Sequence, residues 1–487
     1  MTTPETLVPA PPPVPARGDG AGPRVLLVSF HFGPGCDTGG FRWTGIVDDL
    51  VPKGWQFDVI TAGNPLLEGE AAVLDPVSHG GAVRVFQIPQ DWWGQRLRLG
   101  AGRLAGRLAG RLKALRGAAP PDGTAPPDEN GVGAEGESAP TGLRAAVGRL
   151  GGAAIGVTEL MRDLAWVRRA RPLAVRLARE HDYAAVVVTS PRHLAHLAGA
   201  DVAEATGVPY VADYRDPWTL GRGEDLARLD PVTRVVWGRA ERRALRRATL
   251  AVDISERAQR RAREAFEAEG IDLPRHYIPN GYRPGPAEAP DPSCFRVVHT
   301  GTLYPFAPLD AVFAGLRRLR DRHGLGAESL RVEFMGGKER WNGATLAEHG
   351  RRHGIGEHVS WRPRGPREEA EAVQQRAAVM MAFDSVVVGA LCIPSKLYHY
   401  ARLRGALLLV GEPGGAMAEE AAKIGEPVLA PDDDAGIDAV LERAFQTWRA
   451  AGFTDPIDAD AVFDARRSSE AMHRLLGTLV GRPAPAL

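Results

Sequence analysis

The stretch VVVTSPRHLAHLAGADVAEATGVPYVADYRDPWT, Val186 to Thr219, reads as a strand, a polar turn, a helix, a second strand and a polar loop. Short apolar runs such as VVV and YVA, bounded by turn residues and separated by a helix, are the pattern of parallel strands buried on both faces. Both strands end in polar residues on the side where open α/β sheets bind ligands. Thr189, Ser190 and Arg192 follow the first, and Asp213, Arg215, Asp216 and Trp218 follow the second. Two polar strand ends side by side point to a site. The alternatives are an internal ion-pair network of Asp213, Arg215 and Asp216, or Asp216 capping the helix that follows Pro217.

The same alternation extends outward from this unit. Upstream lie VLLVSFHF, QFDVITAG and VRVFQIP, and downstream LAVDIS and HYIPNG. After the proline-rich YRPGPAEAPDP, Tyr282 to Pro292, the series starts again with FRVVHTG, LRVEFMGG, HVSW, AAVMMAF, ALLLVGE and PVLA. The expected fold class is therefore α/β, with two doubly wound Rossmann-like domains facing each other across a cleft. Residues 24–285 form the N-terminal domain and 286–455 the C-terminal one. The last stretch, 456–487, contains a helix from Phe463 to Val480 that crosses back. The cleft is the default ligand site.

Composition excludes several classes. In 487 residues, 60 Lys plus Arg balance 60 Asp plus Glu, so no global field draws the chain to nucleic acid. Cys36, Cys294 and Cys392 are far apart and lack Cys/His metal spacing, which argues against disulfides and zinc and fits a reducing cytoplasm. Residues 1–23 are proline-rich and read as a disordered tail, not a secretory signal. An insertion at about 96–142 begins with RLRLGAGRLAGRLAGRLKALRG, Arg96 to Gly117, and continues with a linker-like composition. Its first part is either a basic amphipathic helix on anionic lipid at the inner face of a membrane or a solvated helix weakened by glycine. The abundance of alanine, arginine and glycine fits a bacterial genome of high GC content.

The first strand runs into GPGCDTGGFRW, Gly33 to Trp43. This turn is neither G-x-G-x-x-G nor a P-loop, since Phe41-Arg42 stands where lysine and a hydroxyl residue belong. Gly39-Gly40 still opens a helix, FRWTGIVDDLVPKG, whose first amides and dipole favour an anion. A tight turn without a ligand is the plain alternative.

Taken in order, these segments resemble retaining glycosyltransferases of the GT-B fold, family 4, over roughly residues 24 to 480. The likeness is carried by GGFRW, TSPRHLAHLAG, VPYVADYRDPW, YIPNGY, VVHTGTLY and IPSKLYHYARLRGALLLV. The second and third are similar to the T-S-P-x-x-x-x-H-x-x-G and P-W-V-A-D-F-R-D-P-W of one branch. The resemblance implies an enzyme that moves a hexose-like unit from a nucleoside diphosphate sugar to a small-molecule or lipid-linked acceptor, without metal or other cofactor. Lys396 would then meet the diphosphate, with Gly301, Thr302 and His399 nearby and the amides of Gly39 and Gly40 arriving from the other domain. Arg362 and Arg364 would cover the base. Ser190, Arg192, Asp213 and Trp218 would line the acceptor side, and Asp216, Arg215 and His193 would serve the reaction.

The chain departs from the family at three positions. The glutamate of K-x-x-E-Y is His399, which cannot hold two ribose hydroxyls as a carboxylate does. The arginine and lysine of many relatives align with Thr302 and Ala307. A non-catalytic binding protein of this fold, or a sugar-nucleotide epimerase on it, are the competing expectations. The D-x-D match Asp458-Ala459-Asp460 and the PDDDAG run read as solvated surface or helix caps, not as a metal site.

Overall fold

The computed structural model describes residues 22–33, 38–62, 79–88, 143–220, 231–384 and 391–480. The 1–21 part of the tail, the Arg96–Gly117 segment and Cys36 lie outside them.

Each apolar run becomes a strand. In the N-terminal domain these are Arg24–Ser29 (β1), Gln56–Ala62 (β2), Val83–Ile88 (β3), Ala185–Thr189 (β4), Tyr210–Tyr214 (β5), Leu250–Asp253 (β6) and Arg275–Tyr277 (β7). They form one parallel sheet in the order β3-β2-β1-β4-β5-β6-β7. In the C-terminal domain Phe295–Thr300 (β8) and Leu330–Met335 (β9) are followed by a small hairpin, Arg340–Trp341 (β10) with Ala344–Thr345 (β11). Val359–Arg362 (β12), Val379–Phe383 (β13), Ala406–Val410 (β14) and Val428–Leu429 (β15) complete a second parallel sheet, ordered β12-β9-β8-β13-β14-β15.

Helices cover both faces of both sheets, which is why the central strands are mostly apolar on both sides. In the first domain the helices are Thr38–Leu50 (α1), Leu143–Glu180 (α2), His196–Thr206 (α3), Pro231–Arg247 (α4) and Glu256–Glu267 (α5). In the second they are Leu309–His323 (α6), Leu346–Arg352 (α7), Arg367–Gln375 (α8), Ser395–Ala401 (α9), Ala416–Ala421 (α10) and Asp434–Arg449 (α11), and Ala465–Gly477 (α12) is the last described helix. Along β1, Leu26 and Val28 pack with α2 and α3 while Val25 and Leu27 face α1 and α12. The period-two alternation of a strand thus feeds two cores at once.

Strand order locates the crevices. The first sheet reverses direction of winding between β1 and β4, and the second between β8 and β13. Ligands bind outside the carboxyl ends of strands at such switch points. These ends carry the Gly39-Gly40 helix start and the Thr189-Ser190 turn in one domain, and the Gly301-Thr302 turn in the other.

Two chain segments join the domains, and they run side by side. Tyr282 N donates to Phe463 O at 2.7 Å, and Ala465 N donates to Tyr282 O at 2.8 Å. Gly281 has φ +71°, and a Cβ there would stand 2.6 Å from Phe463 O, so only glycine fits this crossing. Beyond it α12 returns to the first domain, where Met472 and Leu476 enter the core under α1 and Trp55 Nε1 bonds His473 Nδ1 at 2.9 Å. Asp458 is not solvated: it is buried and accepts from Val462 N and Phe463 N, both at 2.7 Å, shaping the second crossing. Asp433 caps α11 through Gly436 N.

Candidate functional site

On the N-terminal side, one carboxylate gathers three sequence motifs. Asp213, at the end of β5, accepts from Trp43 Nε1 at 2.7 Å, from Thr189 Oγ1 at 2.8 Å and from Arg42 Nη2 at 3.2 Å. Arg42 also donates to Pro279 O at 2.7 Å. Asp213 is fully buried, so its charge organises the floor of the crevice and does not line its surface. The expectation that Asp213 presents an acceptor-side carboxylate is corrected accordingly. Gly39 and Gly40 occupy the first turn of α1, where backbone amides lack intrahelical partners. Gly33 N, just before, donates to Thr44 Oγ1 at 3.0 Å.

The Thr189-Ser190 turn and the loop after β5 are tied together. Ser190 Oγ accepts from Arg215 N at 3.1 Å and Asp216 N at 3.4 Å, and Arg215 Nε donates to Ser190 O. Ser190 and Arg215 are both buried. His193 Nε2 bonds Asp216 O at 3.0 Å, and its ring stacks on buried Trp218 at 5.5 Å. His193 and Trp218 therefore shape the Asp216 loop from beneath, and Trp218 does not face an acceptor as the sequence suggested. Arg192 sits at φ +75° and turns toward α2, pairing with Asp163 at 2.5 Å and covering the Phe30 ring at 4.4 Å. Asp216, only partly buried, is the acid of this group left at the crevice.

The second domain offers a turn built of glycine. Gly301 has φ +89° and Gly336 φ +101°, and a Cβ on Gly336 would stand 3.1 Å from Gly301 Cα. Side chains are thus excluded where β8 and β9 end, which leaves room for a ligand to approach the backbone closely, while Gly301 N and Gly336 N are themselves paired with Met335 O at 2.7 Å and Arg362 O at 3.0 Å. Lys396, in the first turn of α9, leans over this turn: Nζ donates to Thr302 O at 3.5 Å, and a Cβ on Gly301 would meet its Cε at 3.3 Å. Burial lowers the Lys396 ammonium to about 8. His399, one turn on, is lowered to about 4 by burial and by Arg367 and Arg402, so its imidazole is neutral near pH 7. Tyr400 OH meets Thr300 N at 3.1 Å, and Gln374 Nε2 donates to Thr300 Oγ1 at 2.8 Å, bracing the same strand end.

Of the two arginines expected at the base, one is paired along a groove and the other is exposed. Arg362 pairs with Glu333 at 3.3 Å along a polar groove of about 360 Å³ that Arg296, Arg331 and Ser360 also line. Arg364 is exposed just beyond β12. Ala307 is buried in the core beside α6, so that position does not reach the crevice.

The two sides face each other. Burial, and then the charge on Asp216, raise the Tyr304 phenol. Arg367, at the start of α8, lies 4.9 Å from the Phe41 ring of α1. Farther from the crevice, Ser255 Oγ donates to Leu391 O at 3.1 Å and Tyr277 OH to Glu420 Oε1 at 2.6 Å. The sequence gives no sign that Phe41, Tyr277, Arg367 and Glu420 meet across the domains, because nothing local marks a residue whose partner lies in the other half of the chain. Among the described residues no cluster of three or more His, Cys, Asp or Glu could hold a metal ion, and no helix is long and apolar enough to cross a membrane.

Two parallel-sheet domains with opposed switch points define the GT-B fold, and solved structures share it end to end. The trehalose-6-phosphate synthase OtsA superposes with a TM-score of 0.55 at 12% identity, covering 94% of this chain and 100% of that one. A UDP-forming α,α-trehalose-phosphate synthase from Burkholderia vietnamiensis gives 0.53 at 12% identity over 93% and 100%. HepE from Anabaena, in complex with UDP and glucose, gives 0.50 at 14% identity over 94% and 100%. No protein-family model matches the chain, and no curated protein matches it in sequence.

Proposed function

We propose that this protein is a glycosyltransferase that moves a sugar from a nucleoside diphosphate sugar to a small-molecule or lipid-linked acceptor. The observation that carries this reading is Lys396 leaning over the Gly301 turn of one domain, with the α1 start of the other domain brought close where Arg367 meets the Phe41 ring. A diphosphate leaving group needs donors and a cation waiting where its charge develops. Lys396 over the Gly301 turn supplies the cation and its N–H donors on one side, and the first amides of α1 at Gly39 and Gly40 add donors on the other. The Asp216 loop then holds the acceptor hydroxyl against the sugar.

Retention of configuration, as in family 4, is part of the proposal. It suits a front-face attack in which the leaving phosphate takes the acceptor's proton, a route that needs no pair of carboxylates flanking the bond. The fold shared with a UDP-forming trehalose-phosphate synthase and with HepE in complex with UDP and glucose supports a sugar nucleotide as co-substrate. A second reading, nucleotide binding without turnover, is favoured by neutral His399 in the place of a ribose-binding carboxylate.

A thermal-shift screen with UDP, GDP, ADP and dTDP, followed by transfer and hydrolysis assays with the matching sugar nucleotides, tests both. A raised midpoint with turnover supports transfer, and a raised midpoint without turnover supports the binding reading. No shift with any nucleotide would remove both.

A further inference from the structure

We infer that Glu241 is a positioning residue that holds the Asp216 loop in its working shape through Thr219. This deepens the glycosyl-transfer reading and rests on it for the activity arm of the test.

Glu241 lies on α4, whose inward stripe is otherwise Thr233, Trp237, Ala240, Ala244 and Leu245. An acid on that stripe is 1% exposed and must be paired or neutralised. Its Oε2 takes two hydrogen bonds from one residue of the loop, from Thr219 N at 3.1 Å and from Thr219 Oγ1. At the other end of the short Asp216–Thr219 segment, His193 Nε2 holds Asp216 O. The segment is therefore pinned at both ends, with Trp218 clamped between on the His193 and His196 rings. Trp218 Nε1 and Tyr214 OH, both buried here, have no hydrogen-bond partner among the described residues, so the Glu241 bonds are the polar anchor on this side.

The charged and titratable groups around Glu241 come from every packed element. Arg242 is on its own helix, Arg275 and Asp253 form a buried pair on β7 and β6, Tyr214 ends β5, and His193 faces Trp237 of α4. Burial pushes Glu241 up to about 7, against the pull of Thr219 and Arg275. Buried His196 stays neutral, lowered to about 3 by burial. The ionised carboxylate is a pure acceptor and holds both Thr219 donors; the protonated acid is a poorer acceptor. The loop is thus firm above neutrality and looser below it.

The test uses the full chain. Hydrogen exchange of the peptide covering 213–220 is followed between about pH 6 and 8, corrected for intrinsic rates, alongside pH profiles of transfer. The wild type should lose protection as pH falls, and kcat should fall with it. Glu241→Gln should flatten both profiles and lower kcat by about tenfold to a hundredfold, with the KM for the sugar nucleotide unchanged. Thr219→Val, which removes the hydroxyl and spares Glu241, should reduce protection in the same peptide and guards against a Gln variant that fails to fold. Wild-type protection that does not vary with pH, or a Gln variant that keeps the wild-type profile, overturns the inference. If no sugar nucleotide turns over, the transfer reading fails while the exchange measurement still decides the role of Glu241.

Discussion

Trp43 Nε1 donates to Asp213 Oδ2 at 2.7 Å, which joins the helix after the first strand to the end of the fifth. With Arg42 and Thr189 on the same carboxylate, three motifs far apart in the chain share one buried charge. Removing one partner of such a cluster strands the others. Asp213→Ala should cost roughly 3–5 kcal/mol, and Asp213→Asn less, because an amide oxygen still receives the indole. Denaturant unfolding with unchanged m measures this. A loss below about 1 kcal/mol for the alanine variant would place the charge in a mobile, solvated setting.

Gly199 is a packing requirement. A Cβ there would stand 2.2 Å from the Tyr210 ring, and that ring's hydroxyl bonds His196 Nδ1 at 2.7 Å one turn earlier. Gly199→Ala should push α3 off β5 and destabilise by more than about 2 kcal/mol, beyond the usual overpacking cost at its middle range. It should also loosen the Ser190 turn that α3 follows. A variant as stable as the wild type would mean that Tyr210 can swing clear.

Strand content was legible because parallel strands buried on both faces write unbroken apolar runs, and every such run quoted from the sequence is a strand. Strand order was not written there. It placed the β1–β4 and β8–β13 crevices, and it follows from long-range pairing. Site chemistry was legible in part. The Asp213–Trp218 loop could be found from its polar strand end, but the division of labour within it could not. Asp213 and Trp218 face inward while Asp216 stays at the crevice, and that depends on whether each residue sits in the strand or past its end. Glu241 did carry a readable sign, a lone acid on the apolar stripe of WGRAERRALRR.

Glu241 also predicts a stability profile. Its folded value, about 7, lies above its ordinary one, so the native state binds the extra proton between the two. Its contribution to stability is therefore greatest in acid and falls as pH climbs toward 7. Glu241→Gln should be more stable than the wild type near pH 8, by up to a few kcal/mol, and similar to it near pH 4. Thermal melts of both proteins across that range check the sign, and a variant less stable at pH 8 would contradict it.

Lys396 gives a pH dependence to nucleotide binding. With the ammonium lowered to about 8, its charge is lost as pH rises through that value. The affinity for a nucleoside diphosphate should weaken between about pH 7.5 and 9, by at most about tenfold per pH unit. Lys396→Arg should remove that dependence, since guanidinium stays charged throughout. Calorimetric titration at several pH values distinguishes this from titration of the nucleotide itself, which both proteins would share.

Asp216 and Lys396 belong to different domains, and their variants should separate binding from transfer. Lys396→Ala removes the cation over the Gly301 turn, where a diphosphate would lie, so nucleotide affinity should fall about tenfold to a hundredfold, the worth of one charge-assisted hydrogen bond. Asp216→Asn keeps the backbone carbonyl that His193 holds and keeps the loop's shape, while the partly buried carboxylate at the crevice is lost. Nucleotide affinity should then be unchanged and kcat should drop about a hundredfold, in the range of a lost acid–base or positioning contact. The split is physical: a group that touches the ground-state nucleotide alters Kd, whereas one that touches only the acceptor in the transition state alters kcat. Equal losses of nucleotide affinity in both variants would mean that Asp216 reaches the donor, and the acceptor would have to enter from another side of the crevice.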